Sequence, residues 1–442
     1  MTDHGLDRQW SARSLLGFAF PSMAMMVFMG LYTMVDTVFV ARFVDSLALA
    51  AVNVACPVIN ITVGLGTMMA TGGNALISRK MGEGKEREAR EDFTLLILAG
   101  AAVGVGIAVS GTLWLDRIVD MLGAGDLLFP YCRDYLGILL WLSPANVVQT
   151  LFANLFVTSG RPGIGFGLSV LAGAANIVLD YVLIVTCGLG IRGAALGTGC
   201  GYLIPALAGC VYFSRPGKVL SFARPRWKWA VLRESCLNGS SEMVGQLSAA
   251  VTTFLFNRTM MELLGEDGVA AITILIYSQF LLNTLYIGFS MGVSPVIGFN
   301  YGSGDRERQR NVVRTCMGFI TAVSLGVFGA AMAGGEGIAA LFVPETSPAY
   351  SIAAEGFSVF SYSFLFCGLN LFISSMFTAL SDGRTSAMLS FLRTFGLLAG
   401  GILILPRFFG VTGVWLAVPA AESVMFVASL ACVLRVRKRY FY

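Results

Sequence analysis

The sequence holds one histidine, His4, in its polar N-terminal tail. That scarcity removes histidine-based acid–base catalysis and most transition-metal chemistry. With no HExxH and no histidine in any apolar run, an intramembrane enzyme has no support, and no cofactor is expected. Charge is also scarce. Asp, Glu, Lys and Arg make up 13% of the 442 residues, where a soluble chain of this length carries roughly a quarter. Nothing in the balance of 30 basic against 26 acidic residues points to nucleic acid. The nine cysteines are scattered, odd in number and without a CxxC, which argues for small buried side chains rather than disulfides or a metal site. No small-residue cleavage site follows the first apolar run, so that run is read as a retained span rather than a signal peptide.

What is abundant is apolar surface. Hydrophobic residues reach 56% and the mean hydropathy is +0.75. A crossing helix needs about 20 apolar residues. Twelve candidates follow: 14–40, 47–78, 93–115, 127–158, 163–187, 190–213, 234–262, 268–299, 312–334, 350–381, 385–407 and 411–434. The predicted class is an all-α membrane protein. Of the 30 Lys and Arg, all but Arg42, Arg117, Arg133, Arg192, Arg258 and Arg407 fall on one side of this topology, with both tails. The asymmetry predicts that both termini are cytoplasmic.

The chain repeats itself. GEGKEREAR at 82–90 matches GSGDRERQR at 302–310, and LAAVN at 49–53 matches VAAIT at 269–273, both 220 residues apart. GIRGAALGT (190–198) resembles GVTGVWLAV (410–418) at the same offset, and SGRP (159–162) resembles DGRT (382–385) at 223. Six spans per half make this a parallel repeat of two six-helix bundles, 1–213 and 234–442, joined by a basic cytoplasmic linker, 214–233. Paired bundles suit a transporter in which one rocks against the other. GEGK lacks the P-loop spacing and is read as a turn.

A charged carboxylate inside hydrocarbon costs from about 2.5 to over ~10 kcal/mol, so each one asks for a role. Asp36 lies in the first span, Asn176 and Asp180 share one face of the fifth, and Thr198 lies in the sixth. Counting residues from the span ends puts Asp36, Asp180 and Thr198 at similar depth in the outer half of the bilayer. Two carboxylates, an amide and a hydroxyl suit Na⁺ or a proton, or alternatively a hydrogen-bonded lock between helices. The second half has Leu403 and Val418 at the offsets of Asp180 and Thr198, with Asn257 the uncharged polar residue near that of Asp36. Ion chemistry is therefore expected in the first half alone. Glu242, Glu422 and Asn257 are candidates for a substrate cavity, against a plainer reading in which a Glu pairs with Arg393. Pro21 is expected to bend the first span.

These residues resemble the multidrug and toxic compound extrusion (MATE) family of antiporters over nearly the whole chain. The likeness rests on VDTVFVARF, LAAVNVACPV, SGRP, NIVLDYVLI, GIRGAALGT, FNRTMMELLGEDGVAA and SPVIGFNYGSGD. It is nearest the bacterial branch related to DinF and MepA. The resemblance implies a V of two bundles in a bacterial inner membrane, acting as a monomer. It implies export of organic cations or amphiphilic drugs driven by Na⁺ or H⁺. It places the coupling cation at Asp36, Asn176, Asp180 and Thr198, and helix bending at Pro21. A flippase for lipid-linked oligosaccharides is the alternative with the same architecture.

Overall fold

The computed structural model describes residues 6–440, and these are helical with short turns. The first half comprises α1 (Ala12–Phe43), α2 (Ser46–Gly82), α3 (Glu86–Leu113), the short α4 (Leu115–Met121), α5 (Phe129–Trp141), α6 (Ser143–Thr158), α7 (Pro162–Asp180) and α8 (Ile191–Phe213). A π-helical turn, Tyr181–Thr186, extends α7. The linker ends in α9 (Trp229–Asn238). The second half holds α10 (Ser240–Ser303), α11 (Arg306–Phe342), α12 (Pro348–Phe360), α13 (Phe364–Ala379), α14 (Gly383–Phe391) and α15 (Ala399–Tyr440). A second π turn, Leu392–Leu398, joins α14 to α15.

Among the described residues nine helices are long and apolar enough to cross a membrane, and ten when the α5–α6 pair, bent by 54°, counts as one span. Two of the ten are double. α10 breaks at Gly265 and α15 at Gly410, both with positive φ. The count is thus the twelve spans predicted. Pro144 at the start of α6 explains the α5–α6 bend, because its ring nitrogen cannot donate to the preceding turn.

The repeat is visible in the backbone. Gly190 has φ 55, ψ −133 and Gly410 has φ 57, ψ −134. Only glycine reaches this conformation without strain, so each half keeps one where span five (or eleven) gives way to the next. Gly84 and Gly304 match likewise, at φ 74 and 73. The turns after α6 and α13 correct the expected register. Gly160 donates to Val157 and Arg161 to Phe156; Ser381 donates to Thr378 and Asp382 to Phe377. The true offset here is 221, and the likeness of SGRP to DGRT at 223 is coincidental.

Packing differs between the two ends. One buried core takes Leu76, Ile77 and Phe93 from the first half together with Ile297, Phe299 and Cys316 from the second. At the other end each half has its own. Val40, Ala48, Leu136 and Ala195 form one, and Phe256, Leu275, Phe357 and Trp415 the other. The halves are therefore joined at the Lys/Arg-rich end and separate away from it. The joint is reciprocal. A Cβ on Gly82 would stand 2.0 Å from the Phe299 carbonyl, and one on Gly302 would stand 2.0 Å from the Arg79 carbonyl. These pairs exchange under the 220-residue repeat, so α2 and α10 cross on the pseudo-twofold axis with backbones touching.

The linker is clamped to the first half by ion pairs. Lys228 lies 3.7 Å from both Glu91 and Asp92, and Arg226 lies 3.6 Å from Glu91, while Lys80 within the first half also bridges Asp92. Both carboxylates are buried, so each needs these cations as its compensation.

Candidate functional site

Asp180 ends α7 with its side chain fully buried, and Asn176, one turn earlier, is 2% exposed. Helical spacing alone puts both on one face of α7. The close approach is made by Gly197. A Cβ there would lie 2.1 Å from Asp180 Oδ1 and 3.5 Å from Asn176 Nδ2. Glycine at 197 thus leaves the volume the carboxylate fills. Thr198 follows directly on α8. Across α1, the Asp36 carboxyl is within direct reach of that of Asp180. Tyr32, Tyr135 and Tyr202 lie within electrostatic reach of Asp36, and Tyr135 of Asp180 as well.

Beyond the contact of the two carboxyls with each other, the oxygens of this group are left without protein partners. Asp36 Oδ1, Asn176 Oδ1, both carboxylate oxygens of Asp180 and Thr198 Oγ1 are buried and meet no other side-chain or backbone donor. A buried carboxylate without a partner is costly. If Asp180 were only a structural lock, its oxygens would have donors. The donor set is all-oxygen and carries two carboxylates, which suits a hard cation or protons and not a soft metal.

α1 links this site to the closed end. It runs unbroken from Ala12 to Phe43 through Pro21. Gly173 of α7 sits against Phe28 and Tyr32 of α1, at 2.6 and 3.4 Å for a Cβ. Further down, Gly288 and Gly292 of α10 press on Ser22, Met23 and Ala19, all within 3 Å of a Cβ. Pro21 lies in that contact. The string GFSMG at 288–292 has the form of a hydrolase nucleophile elbow, a match the sequence reading missed. It lies inside α10 rather than on a strand-to-helix turn, and its glycines serve helix packing, so it has no such role.

In the second half, Glu422 is 4% exposed. Its Oε1 accepts from Arg393 Nη2 and Nε at 2.6 and 2.8 Å, and its Oε2 accepts from Asn370 at 2.7 Å. Cys367 stands 3.3 Å from the same guanidinium. This Glu–Arg pair ties α13 and α15 to the π turn Leu392–Leu398. Glu242 is partly exposed at the start of α10, and Asn257 lies beyond it with a buried, unpartnered Oδ1. The structure does not bring either to Glu422. Leu403, at the sequence offset of Asp180, is 49% exposed. What faces Ala417, the counterpart of Gly197, is instead Gly401, 3.6 Å away for a Cβ. Asp180 to Gly401 is the same 221-residue offset as the turns at 160 and 381, and Leu403 was reached through the coincidental 223 of SGRP and DGRT. Val418, at the offset of Thr198, is buried and apolar.

Gly197, Tyr32, Tyr135 and Tyr202 escaped the sequence reading. A glycine on an apolar helix signals close packing without naming its partner, and tyrosine is at home in any core.

Comparison with known proteins follows the same lines. The MatE family model matches residues 21–182 and 243–399. Multidrug export protein MepA of Staphylococcus haemolyticus is 24% identical over 438 residues, covering 97% of this chain and 94% of that protein. The MepA protein of Staphylococcus aureus strain MRSA252 is 23% identical over 437 residues, with the same coverage. A MATE crystal structure in complex with MaL6 superposes with a TM-score of 0.92 at 20% identity, over 99% of each chain. An outward-facing multidrug resistance MATE transporter of the MOP superfamily gives 0.90 at 20% identity, over 97% of this chain and 98% of that one.

Proposed function

The chain belongs to the MATE family of membrane transporters, and from that premise we propose that it is a cation-coupled antiporter exporting organic cations and amphiphilic drugs. The observation that carries the coupling claim is the set of buried, unpartnered oxygens on Asp36, Asn176, Asp180 and Thr198. Na⁺ or protons entering from outside neutralise the two carboxylates. That removes the repulsion between them and gives the oxygens a partner. Asp36 is then free to shift α1, which bears on Gly288 and Gly292 near Pro21. Movement there loosens the joint at the Lys/Arg-rich end. For this to drive transport, the ion must bind the two conformations with different affinity.

The Lys/Arg bias supports cytoplasmic termini, so the separated end faces outward in this conformation. Ion release inward resets the cycle. The flippase alternative needs a cationic cavity for a pyrophosphate, and the second half offers instead an Arg393 already neutralised by Glu422. The test is efflux of an ethidium-like cation from proteoliposomes under an imposed Na⁺ gradient, then under a pH gradient. Asp180→Asn is expected to abolish coupling to whichever ion drives the wild type. Full efflux and coupling in that variant would remove the proposal.

A further inference from the structure

A cavity of about 330 Å³ opens between α9 and the turn before α14, on the Lys/Arg-rich side. It is far from the Asp36–Asp180 group. Its walls include Arg233, Glu234, Asn238, Ser381, Asp382 and Arg384. The two carboxylates are committed elsewhere. Glu234 bridges Arg79 at 3.3 Å. Asp382 caps Thr385 through both oxygens and accepts from the Tyr440 hydroxyl. The two arginines have no ion-pair partner among the described residues. The free charge facing the cavity is therefore two guanidiniums.

Two buried polar atoms at the cavity also lack partners: Asn238 Oδ1, on a residue 4% exposed, and Ser381 Oγ. Asn238 spends its amide N–H on the Thr378 carbonyl, so its oxygen waits for a donor. Gly383 lets this turn seat directly on Asn238, since a Cβ would lie 2.2 Å from the Asn238 Cα. Just before α9's first turn closes, Trp227 and Trp229 are 63% and 70% exposed, as aromatic side chains at headgroup level are.

We propose that this cavity binds a phosphodiester headgroup carrying a hydroxyl or ammonium donor. The Arg233 and Arg384 guanidiniums hold the phosphate, with Ser381 donating to it. The headgroup donor satisfies Asn238 Oδ1. Planar guanidiniums suit phosphate oxygens in geometry and charge. A lipid of the cytoplasmic leaflet and a soluble phosphoester share this chemistry. The site bridges the linker helix and the second half, so its occupancy would stiffen the connection between bundles.

The test is thermal unfolding of the purified full chain in detergent, with phosphatidylglycerol added to the micelles, or glycerol phosphate added in solution. The readout is binding, independent of transport. For wild type a saturable rise in the midpoint is expected with lipid. Arg233→Gln with Arg384→Gln should weaken the apparent affinity about tenfold, while Arg224→Gln, an exposed linker arginine outside the cavity, leaves it unchanged. An equal rise with glycerol phosphate alone assigns the site to a soluble ligand. A rise retained in the double variant, or lost equally in Arg224→Gln, overturns the proposal. Should the double variant not fold, Arg384→Gln alone carries the same comparison.

Discussion

At the scale of single residues, the site turns on one missing methyl group. Asp180 is tolerated in an apolar helix because Gly197 leaves room for its carboxylate. Gly197→Ala would drive a Cβ to 2.1 Å from Asp180 Oδ1. The carboxylate must then swing away, and ion coupling in proteoliposomes is expected to fall at least tenfold while the helical content by circular dichroism stays the same. The Arg393–Glu422 pair makes the opposite case, a charge fully answered by protein. Arg393→Met alone strands Glu422 in the interior and should cost about 3–5 kcal/mol. Joint Arg393→Met and Glu422→Leu should recover most of that loss, read as denaturation midpoints in detergent. If the double variant were as unstable as the single one, the pair would not be the structural tie described.

At the scale of elements, the helix pair α2 and α10 decides which end of the molecule is shut. Their backbones meet where Gly82 and Gly302 face carbonyls of the opposite helix. Alanine at either position cannot be accommodated without the helices parting. Gly82→Ala and Gly302→Ala should each raise amide hydrogen exchange over 76–82 and 296–302, with exchange near Asp180 unchanged. By the symmetry of the contact, the two variants should behave alike, and a large difference between them would contradict the reciprocal packing. Much at this scale was legible in sequence. The twelve spans follow from apolar length, and the paired glycines at 190 and 410 lie in a visible repeat. What was not legible was register inside spans five and eleven. The chance likeness of SGRP to DGRT set the register two residues too long, so Leu403 took the place in the alignment that Gly401 fills in space.

At the scale of the whole molecule, the chain is a two-fold repeat that has been made unequal. One half keeps unpartnered oxygens at its separated end, and the other keeps a neutralised Arg393–Glu422 pair beside residues of the joined core. Both tails are expected on the cytoplasmic side. A protease added outside intact cells should leave tags at either terminus uncut, and cut them once the membrane is opened.

The sequence alone determined the membrane setting, the number of spans, the two-fold repeat and the residue types Asp36, Asn176, Asp180 and Thr198. Each of these rests on local composition or on residue spacing along one helix, which the chain carries wherever it goes. The tertiary structure decided three further matters. Asp180 and Asn176 face Gly197, Glu422 is spent on Arg393, and the halves close at the Lys/Arg-rich end. These depend on contacts between helices far apart in the chain, and close packing is set by shape on both sides at once. A glycine or a glutamate in isolation does not say what it will meet.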